Sequence, residues 1–355
     1  VESIRGMDFQ TRQLLLALRS GYRPEIARAL LLESMWQSTS SNPRRARKLL
    51  DRAIAVGAGE DDPYMKAMVH GALGMMAYFG GDVVGGVHHL SESEIALRAV
   101  PGHNWEYSTA RLFQLFGLRF IGDFVTMRTK YEQYVVEAAH RGDRYLDSTM
   151  RRASVAMWLA EDDVDGAMRE LERATWVAQS AGFHVQHFHE LVAWGEIALY
   201  SGRVDPRARF AEMFERLDAS MLLRVESIRV QDGYLRGRLA LAGLLPAGDA
   251  IRYARKLARE HNHLARTWSL LLRAGTEAQA QRPDEAIAIL TEAGAAAEAA
   301  GMRLTQAAAR RLQAQLRGNE GEDEQALAAT GEMGALGVRA PGRMTEMLIP
   351  IRRRF

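Results

Sequence analysis

The sequence predicts an all-α protein, a right-handed α-solenoid of about eight helical hairpins, and three observations predict it. Turn signals recur at near-constant spacing. A small or medium residue follows each signal, with a larger apolar one four positions on, and no segment carries the two-residue alternation of a strand.

The signals are Gly81-Asp82, Gly122-Asp123, Asp162-Asp163, Gly202, Gly248-Asp249, Pro283-Asp284 and Gly321-Glu322, and each is read as opening a helix. The pairs are Ala46 with Leu50, Gly86 with Leu90, Met127 with Tyr131, Ala167 with Leu171, Ala250 with Ala254, Ala286 with Leu290, and Ala326 with Thr330. Their first members recur about every 40 residues, with one double-length gap between Ala167 and Ala250. Ala254 and Thr330 are weak second members. Gly57, Gly102, Gly142, Gly182, Asn262, Gly301 and Gly337 are read as closing helices, where a left-handed residue is needed. Each unit is then a hairpin, with faces such as Leu270, Leu271, Ala274 and Ala278 opposite Ala286, Ile289, Leu290 and Ala293. Proline sits at starts or breaks, at Pro24, Pro43, Pro63, Pro206, Pro246 and Pro283, where its missing N–H costs nothing.

This pattern divides the chain into an N-terminal cap helix with the first helix of the array (1–41), the repeats (42–340), and a C-terminal capping helix with a basic tail (341–355). The helix from Asp8 to Ser20 has no partner before it and is expected to be a cap or a cut unit. The chain opens on Val1 and not Met, so it is expected to be a processed chain or a piece of a longer one. Met344, Met347 and Leu348 form a stripe expected to close the last hairpin. In such an array each unit touches only its neighbours, and stability is a sum of local terms.

Composition narrows the function. The chain has 355 residues, 47% apolar and 25% charged, a profile that folds. Its 46 Lys and Arg nearly cancel 44 Asp and Glu, and the net charge of +2 gives no field that implies nucleic acid. Cysteine is absent, which excludes disulfides, thiol catalysis and Cys-ligated zinc. No apolar run approaches the roughly 20 residues that span a bilayer, and no signal segment opens the chain, so the expected setting is the cytoplasm and no membrane partner is expected.

No phosphate-binding P-loop, dinucleotide GxGxxG, serine elbow or HExxH occurs, so four routes to catalysis lack support, and the chain is expected not to be an enzyme or to carry a cofactor. Glu161 to Glu172 mimics a calcium loop in the spacing of its carboxylates, but its first position is Glu, and the repeat register makes it a turn before a helix. His184, His187 and His189, with Glu190 and Trp194, are the densest histidine group. His184 and His187 share a helix face and His189 does not, so a polar and aromatic helix start is the simpler reading beside metal or acid–base work. Of Trp36, Trp105, Trp158, Trp176, Trp194 and Trp268, most are expected in the core. Arg229, Asp232 and Arg236 fall on one helix face and read first as a solvated salt-bridge row, second as a binding clamp. Arg352-Arg353-Arg354 reads as a solvated end.

The small residue four before a larger apolar one is what closely crossing helices need, and it resembles the tetratricopeptide pattern, best in the unit with Leu73-Gly74 before Gly86 and Leu90. Several stretches also resemble, in order, the C-terminal helical region of large bacterial serine/threonine protein kinases that carry a signal-transduction ATPase module. They are Asp8-Phe9 with Leu14 to Arg19, Trp105-Glu106 before Leu112-Phe113, Gly182 to His187, and Leu222 to Val225. Ala308 to Arg311 with Gly318 and Glu320-Gly321, and Arg339 to Met344 with Met347-Leu348, complete the series.

The resemblance implies a non-catalytic sensor or scaffold that binds a protein partner, a peptide or an effector and controls upstream or partner kinase and ATPase modules. It carries over no functional residues. The alternative is a free-standing small-molecule or metal-binding helical protein, conceivably an enzyme, built around the cluster near Gly182. The expected contact residues are His184, His187, Glu190 and Trp194, with Arg229, Asp232 and Arg236 as the second group.

Overall fold

The structure is a computed structural model that describes residues 3–39, 42–58, 62–175, 182–202, 207–246, 248–318 and 324–351. Trp176, Pro206, Glu320, the Gly321-Glu322 signal and Arg352-Arg353-Arg354 lie outside the described residues. Among those described, the regular elements are all helical and none is a strand. The helices are α1 (Ser3–Ser20), α2 (Arg23–Ser38), α3 (Pro43–Gly57), α4 (Pro63–Gly80), α5 (Val83–Leu97), α6 (Asn104–Ile121), α7 (Phe124–Arg141), α8 (Arg144–Ala153), α9 (Val155–Ala160) and α10 (Val164–Arg173). They continue as α11 (Val185–Ser201), α12 (Arg207–Asp218), α13 (Glu226–Leu241), α14 (Asp249–Leu257), α15 (His263–Gln279), α16 (Pro283–Ala299), α17 (Arg303–Arg317), α18 (Glu324–Ala335) and α19 (Pro341–Leu348). No helix among the described residues is long and apolar enough to cross a membrane.

The Gly-Asp signals are one device that ends a helix and starts the next. Gly81, Gly122 and Gly142 take left-handed φ of 87°, 87° and 65°, which a side chain resists, and free the chain to reverse. The aspartate after each accepts a hydrogen bond from the backbone N–H three residues on, Asp82 from Gly85 at 2.9 Å, Asp123 from Thr126 at 3.0 Å and Asp143 from Leu146 at 3.0 Å. Asp162 stands in the glycine position at φ 59°, and Asp163 caps Gly166 at 2.7 Å. Three of the expected helix ends differ, the first being Gly102, which is left-handed but lies in the connection between the end of α5 at Leu97 and the start of α6 at Asn104. Gly57 lies in the last turn of α3, which stops through an extended Ala58, and Asn262 is extended and caps the start of α15 by accepting from Leu264 N–H at 2.8 Å. An asparagine serves either end of a helix, so the residue type alone does not decide between them.

Every member of the seven sequence pairs is buried except Thr330. The double-length gap holds another pair: Phe210 and Phe214 of α12, four apart and both buried, where bulky rings replace the small residue of the pattern.

The chain divides into two compact units, one from 1–117 with 224–227, the other from 118–223 with 228–355. In the first, α2 packs on α3, α3 on α4 and α4 on α5 around Leu31, Leu50, Met68 and Leu97. Gly74 of α4 meets Leu90 of α5 so closely that a Cβ there would lie 2.6 Å from Leu90 Cγ and 3.0 Å from its backbone nitrogen. Glu94 and Arg111, 1% and 0% exposed, pair at 3.1 Å, and Gln114 donates to Glu94 at 3.0 Å. Helix α1 seats on α2, with Gln10 donating to the Ala29 carbonyl at 3.0 Å. Its other face exposes Phe9, Leu15, Leu16 and Leu18, unlike the polar outer face usual for a terminal cap.

In the second unit consecutive helices also pack, as in α14 on α15, α15 on α16 and α16 on α17. Nearest-neighbour contact does not describe it fully, however, because its C-terminal helices return to its first ones. Phe124 N–H donates to Leu336 O at 3.1 Å and Arg339 N–H to Ala160 O at 2.7 Å. Helix α19 packs on α11 and α17, and the Leu348 carbonyl accepts from the Tyr234 hydroxyl at 2.7 Å. Met344 and Met347 are buried as expected of a capping stripe, but they also cover helices more than a hundred residues away in sequence.

Candidate functional site

Helix α13 is the reason the second unit has a site. It is buried on every face over most of its length, and its glycines let neighbours approach. A Cβ on Gly237 would lie 2.3 Å from Leu272 of α15, and one on Gly233 would lie 3.3 Å from Leu257 of α14. A helix so enclosed cannot turn a charged row to solvent. The expected solvated row of Arg229, Asp232 and Arg236 is therefore corrected for two of its members: Asp232 is 5% and Arg236 8% exposed, while the Arg229 side chain stays 37% exposed.

These three residues line a cavity of about 560 Å³ bounded by α12, α13 and α14. Arg236 Nε donates to Asp232 at 2.8 Å, and its two terminal nitrogens donate to Asp218 at 2.6 and 3.1 Å. The Phe214 ring lies 4.1 Å from the guanidinium, a cation–π contact that fixes its plane. Arg229 grips Glu260 in a bidentate pair at 2.6 and 2.8 Å and donates to the Leu223 carbonyl at 2.9 Å.

Helix α14 supplies Arg252, Tyr253 and Lys256 to the wall, and the turn after it supplies Arg259. Tyr253 is buried, and Arg252 and Lys256 lie 5.1 and 5.0 Å from its ring. Arg252 pairs outside the cavity with Asp249 at 3.2 Å. Among the described residues no carboxylate lies within ion-pair distance of Lys256 or Arg259.

Burial raises the Asp232 carboxyl to about 6; Arg236 and Lys256 oppose that rise and Asp218 adds to it. Burial works against the Arg236 charge, but the Asp232 and Asp218 carboxylates hold its pKa above the usual arginine value. The described lining contains no Ser, Thr or His. Its chemistry is that of charge recognition, with paired groups in the wall and two lining cations, Lys256 and Arg259, beyond ion-pair distance of any described carboxylate.

The histidine group does not converge. His184 begins α11, and its backbone N–H donates to Nδ1 of His187 at 2.9 Å, so one ring nitrogen of His187 caps the helix. Burial, then Arg216 and His184, lower the His187 pKa. His189 faces Arg119 and Arg152 and is pushed down to about 3, chiefly by desolvation. Glu190 lies 3.8 Å from Arg152, and Trp194 stacks under the Arg209 guanidinium at 4.7 Å. None of the four expected contact residues lines the α12–α14 cavity. Among the described residues no group of three His, Cys, Asp or Glu side chains is placed to hold a metal ion.

The loop that mimics a calcium site is occupied by protein partners. Glu161 pairs with Arg128 at 2.6 Å, Asp162 accepts from Tyr200 at 2.7 Å and Arg343 at 2.8 Å, and Asp163 caps α10. The tryptophans are less buried than expected. Of those described, only Trp268 is fully buried, stacked on Tyr234 at 4.6 Å; Trp158 carries the Arg128 guanidinium at 4.0 Å, and Trp105 is 62% exposed.

A second space in the same unit, about 50 Å³ and of water size, lies beside Arg119, Glu196, Arg238 and Trp268. Arg238 stands 3.8 Å from Glu196, and Arg119 donates to the same carboxylate. The partners in this cluster lie far apart in sequence, which is why no local pattern announced it. The α14 wall was missed for a related reason: the sequence alone gives Arg252 and Lys256 of α14, and Arg259 in the turn after it, no cavity to face. Compared with known proteins, the chain matches no protein-family model and no curated sequence.

Proposed function

We propose that the chain is a non-catalytic regulatory or sensor module that binds an effector or a protein partner and controls an attached or partner kinase or ATPase module. One observation carries the binding role: the cavity of about 560 Å³ between α12, α13 and α14, framed by the buried pair Asp232–Arg236 and by Arg229–Glu260. That volume sits within the range of about 300–1,000 Å³ in which proteins seat small ligands. The buried pair Asp232–Arg236 is costly to assemble, and such a pair can be kept because it fixes a geometry; Arg229–Glu260, with side chains 37% and 18% exposed, is a half-buried clamp beside it. The cavity favours an effector as the bound species.

The link to kinase and ATPase modules rests on the ordered sequence resemblance, and the cytoplasm is the compartment proposed with it. The fold proposed for the repeats is a right-handed tetratricopeptide-like solenoid of about eight hairpins; the burial of the paired positions supports it. The alternative, a free-standing binder or enzyme centred near Gly182, has less in its favour, because His187 is engaged in capping α11 and His189 is turned toward arginines.

A thermal-shift screen of the purified chain against neutral, cationic and anionic metabolites tests the proposal. A metabolite that raises the unfolding midpoint of the wild type and not of Arg229→Gln, with no ATP turnover by either protein, is the expected result. Reproducible turnover that is lost on a substitution within the chain would contradict it.

A further inference from the structure

We propose that the α12–α14 cavity is the binding site for a small phosphate monoester, with the phosphoryl group seated against Lys256 and Arg259. The inference rests on the binding role argued above and assigns its ligand class.

Charge accounting within the cavity leads to it. The three carboxylates of the lining, Asp218, Asp232 and Glu260, are already engaged by Arg236 and Arg229. Arg252 is held from outside by Asp249. Lys256, in the last turn of α14, and Arg259, in the turn that follows the helix, form no ion pair with a described carboxylate, and both line the same cavity. Two cations beside one opening call for a ligand with two negative charges, and a phosphate monoester carries nearly that at neutral pH. The ammonium supplies a compact charge and the guanidinium a planar fork, the pairing that suits a phosphoryl oxygen set.

The rest of the lining sets the ligand's other end. The cavity extends past Tyr253, Leu257 and Leu223, an aromatic and aliphatic surface too large to be filled by inorganic phosphate alone. An ester with a sugar or nucleoside body fits both parts. A free ester and inorganic phosphate share the recognised group, and the body distinguishes them.

The wall also gives the site a pH signature. Asp232 is faced by Arg236 on its own helix, by Asp218 of α12 and by Lys256 of α14. Protonating Asp232 as pH falls through about 6 frees charge on Arg236 and Lys256 and raises the positive potential of the cavity. Anion binding tightens as pH falls. Sulfate is the probe for this effect, because its charge is constant between pH 5 and 8 while that of phosphate is not.

Isothermal titration of the full chain with 5′-AMP, glucose 6-phosphate, inorganic phosphate, adenosine, glucose and succinate tests the assignment. At least one ester is expected to bind tenfold or more tighter than inorganic phosphate and than its neutral parent. The Lys256→Ala/Arg259→Ala variant is expected to lose that binding by tenfold or more with an unchanged circular dichroism spectrum, since both side chains are exposed. Sulfate is expected to bind several-fold tighter at pH 5.5 than at 7.5, and equally at both in Asp232→Asn. The assignment is overturned if no ester exceeds inorganic phosphate, if the double variant binds normally, or if a phosphoserine peptide outcompetes every free ester. A neutral metabolite that binds wild type and is lost in Arg229→Gln would overturn the ligand class and leave the binding role standing. No response from any compound, in this panel or in the wider screen, would remove both.

Discussion

Replacing Gly74 by alanine should destabilise the first unit although alanine is the better helix former. Gly74 lies inside α4, where the change normally gains about 0.5–1 kcal/mol. Here the added methyl would stand 2.6 Å from Leu90 Cγ, 3.1 Å from its Cδ2 and 3.0 Å from its backbone nitrogen. Carbon atoms prefer about 3.5–4.0 Å, so α4 and α5 must separate by close to 1 Å or Leu90 must leave its rotamer. Overpacking of this kind costs about 1–3 kcal/mol, and after the propensity gain the net loss is up to about 2.5 kcal/mol. Leu90 is buried and its backbone nitrogen cannot retreat, so relaxation is limited. Urea unfolding followed by circular dichroism reads the loss. In a Leu90→Ala background the part of the penalty set by the Leu90 side chain should go, a coupling of about 1 kcal/mol between the two sites, while the part set by the 3.0 Å approach to the backbone nitrogen remains. Gly294→Ala, near the middle of α16 with no atom within 4 Å of the new methyl, should stabilise by up to about 1 kcal/mol. A Gly74→Ala protein as stable as the wild type would refute the claim that α4 and α5 cross in contact.

Glu94→Gln should cost about 3–5 kcal/mol by stranding the buried Arg111 charge, and Glu94→Gln/Arg111→Met should recover part of it in the same denaturation assay. Asp232 has a folded pKa near 6 against an ordinary 3.8, so the native state binds this proton the more tightly. Its contribution to stability is complete below about pH 4 and lost above about pH 6, a span of about 3 kcal/mol, and Asp232→Asn should flatten that stretch of the stability profile. Removing residues 324–355 should speed hydrogen exchange at the Phe124 amide, which loses the Leu336 carbonyl and keeps only that of Gly122 among its two acceptors; unchanged protection would contradict the return of the C-terminal helices. Calcium should not bind in the micromolar range, and Asp163→Ala should cost about 1 kcal/mol through the lost α10 cap whether or not calcium is present.

The parts of the fold legible in the sequence are those set by local chemistry. A Gly-Asp step must reverse the chain and cap a helix, and a small residue four before a larger one must face a neighbour, so these positions could be read directly. The Phe210–Phe214 pair escaped because its bulk breaks the small-residue rule while its burial obeys it. The return of α18 and α19 onto α7, α9 and α11 could not be read, since an array signals its period and not where its ends meet. The site divides the same way. Arg229, Asp232 and Arg236 were visible as one helix face, but whether that face meets water or a cavity depends on Gly233, Gly237 and the helices they admit. The His184 group attracted notice by composition, and the structure spends its ring nitrogen on a helix cap.

Hydrogen–deuterium exchange of the purified chain, with and without the first metabolite that raises its unfolding midpoint, tests most directly whether the chain acts through the α12–α14 cavity. Ligand-dependent protection should concentrate in residues 218–260, at the end of α12, in α13 and in α14. Protection confined to 183–194, with 218–260 unchanged, would place the binding site at the histidine group and contradict the account.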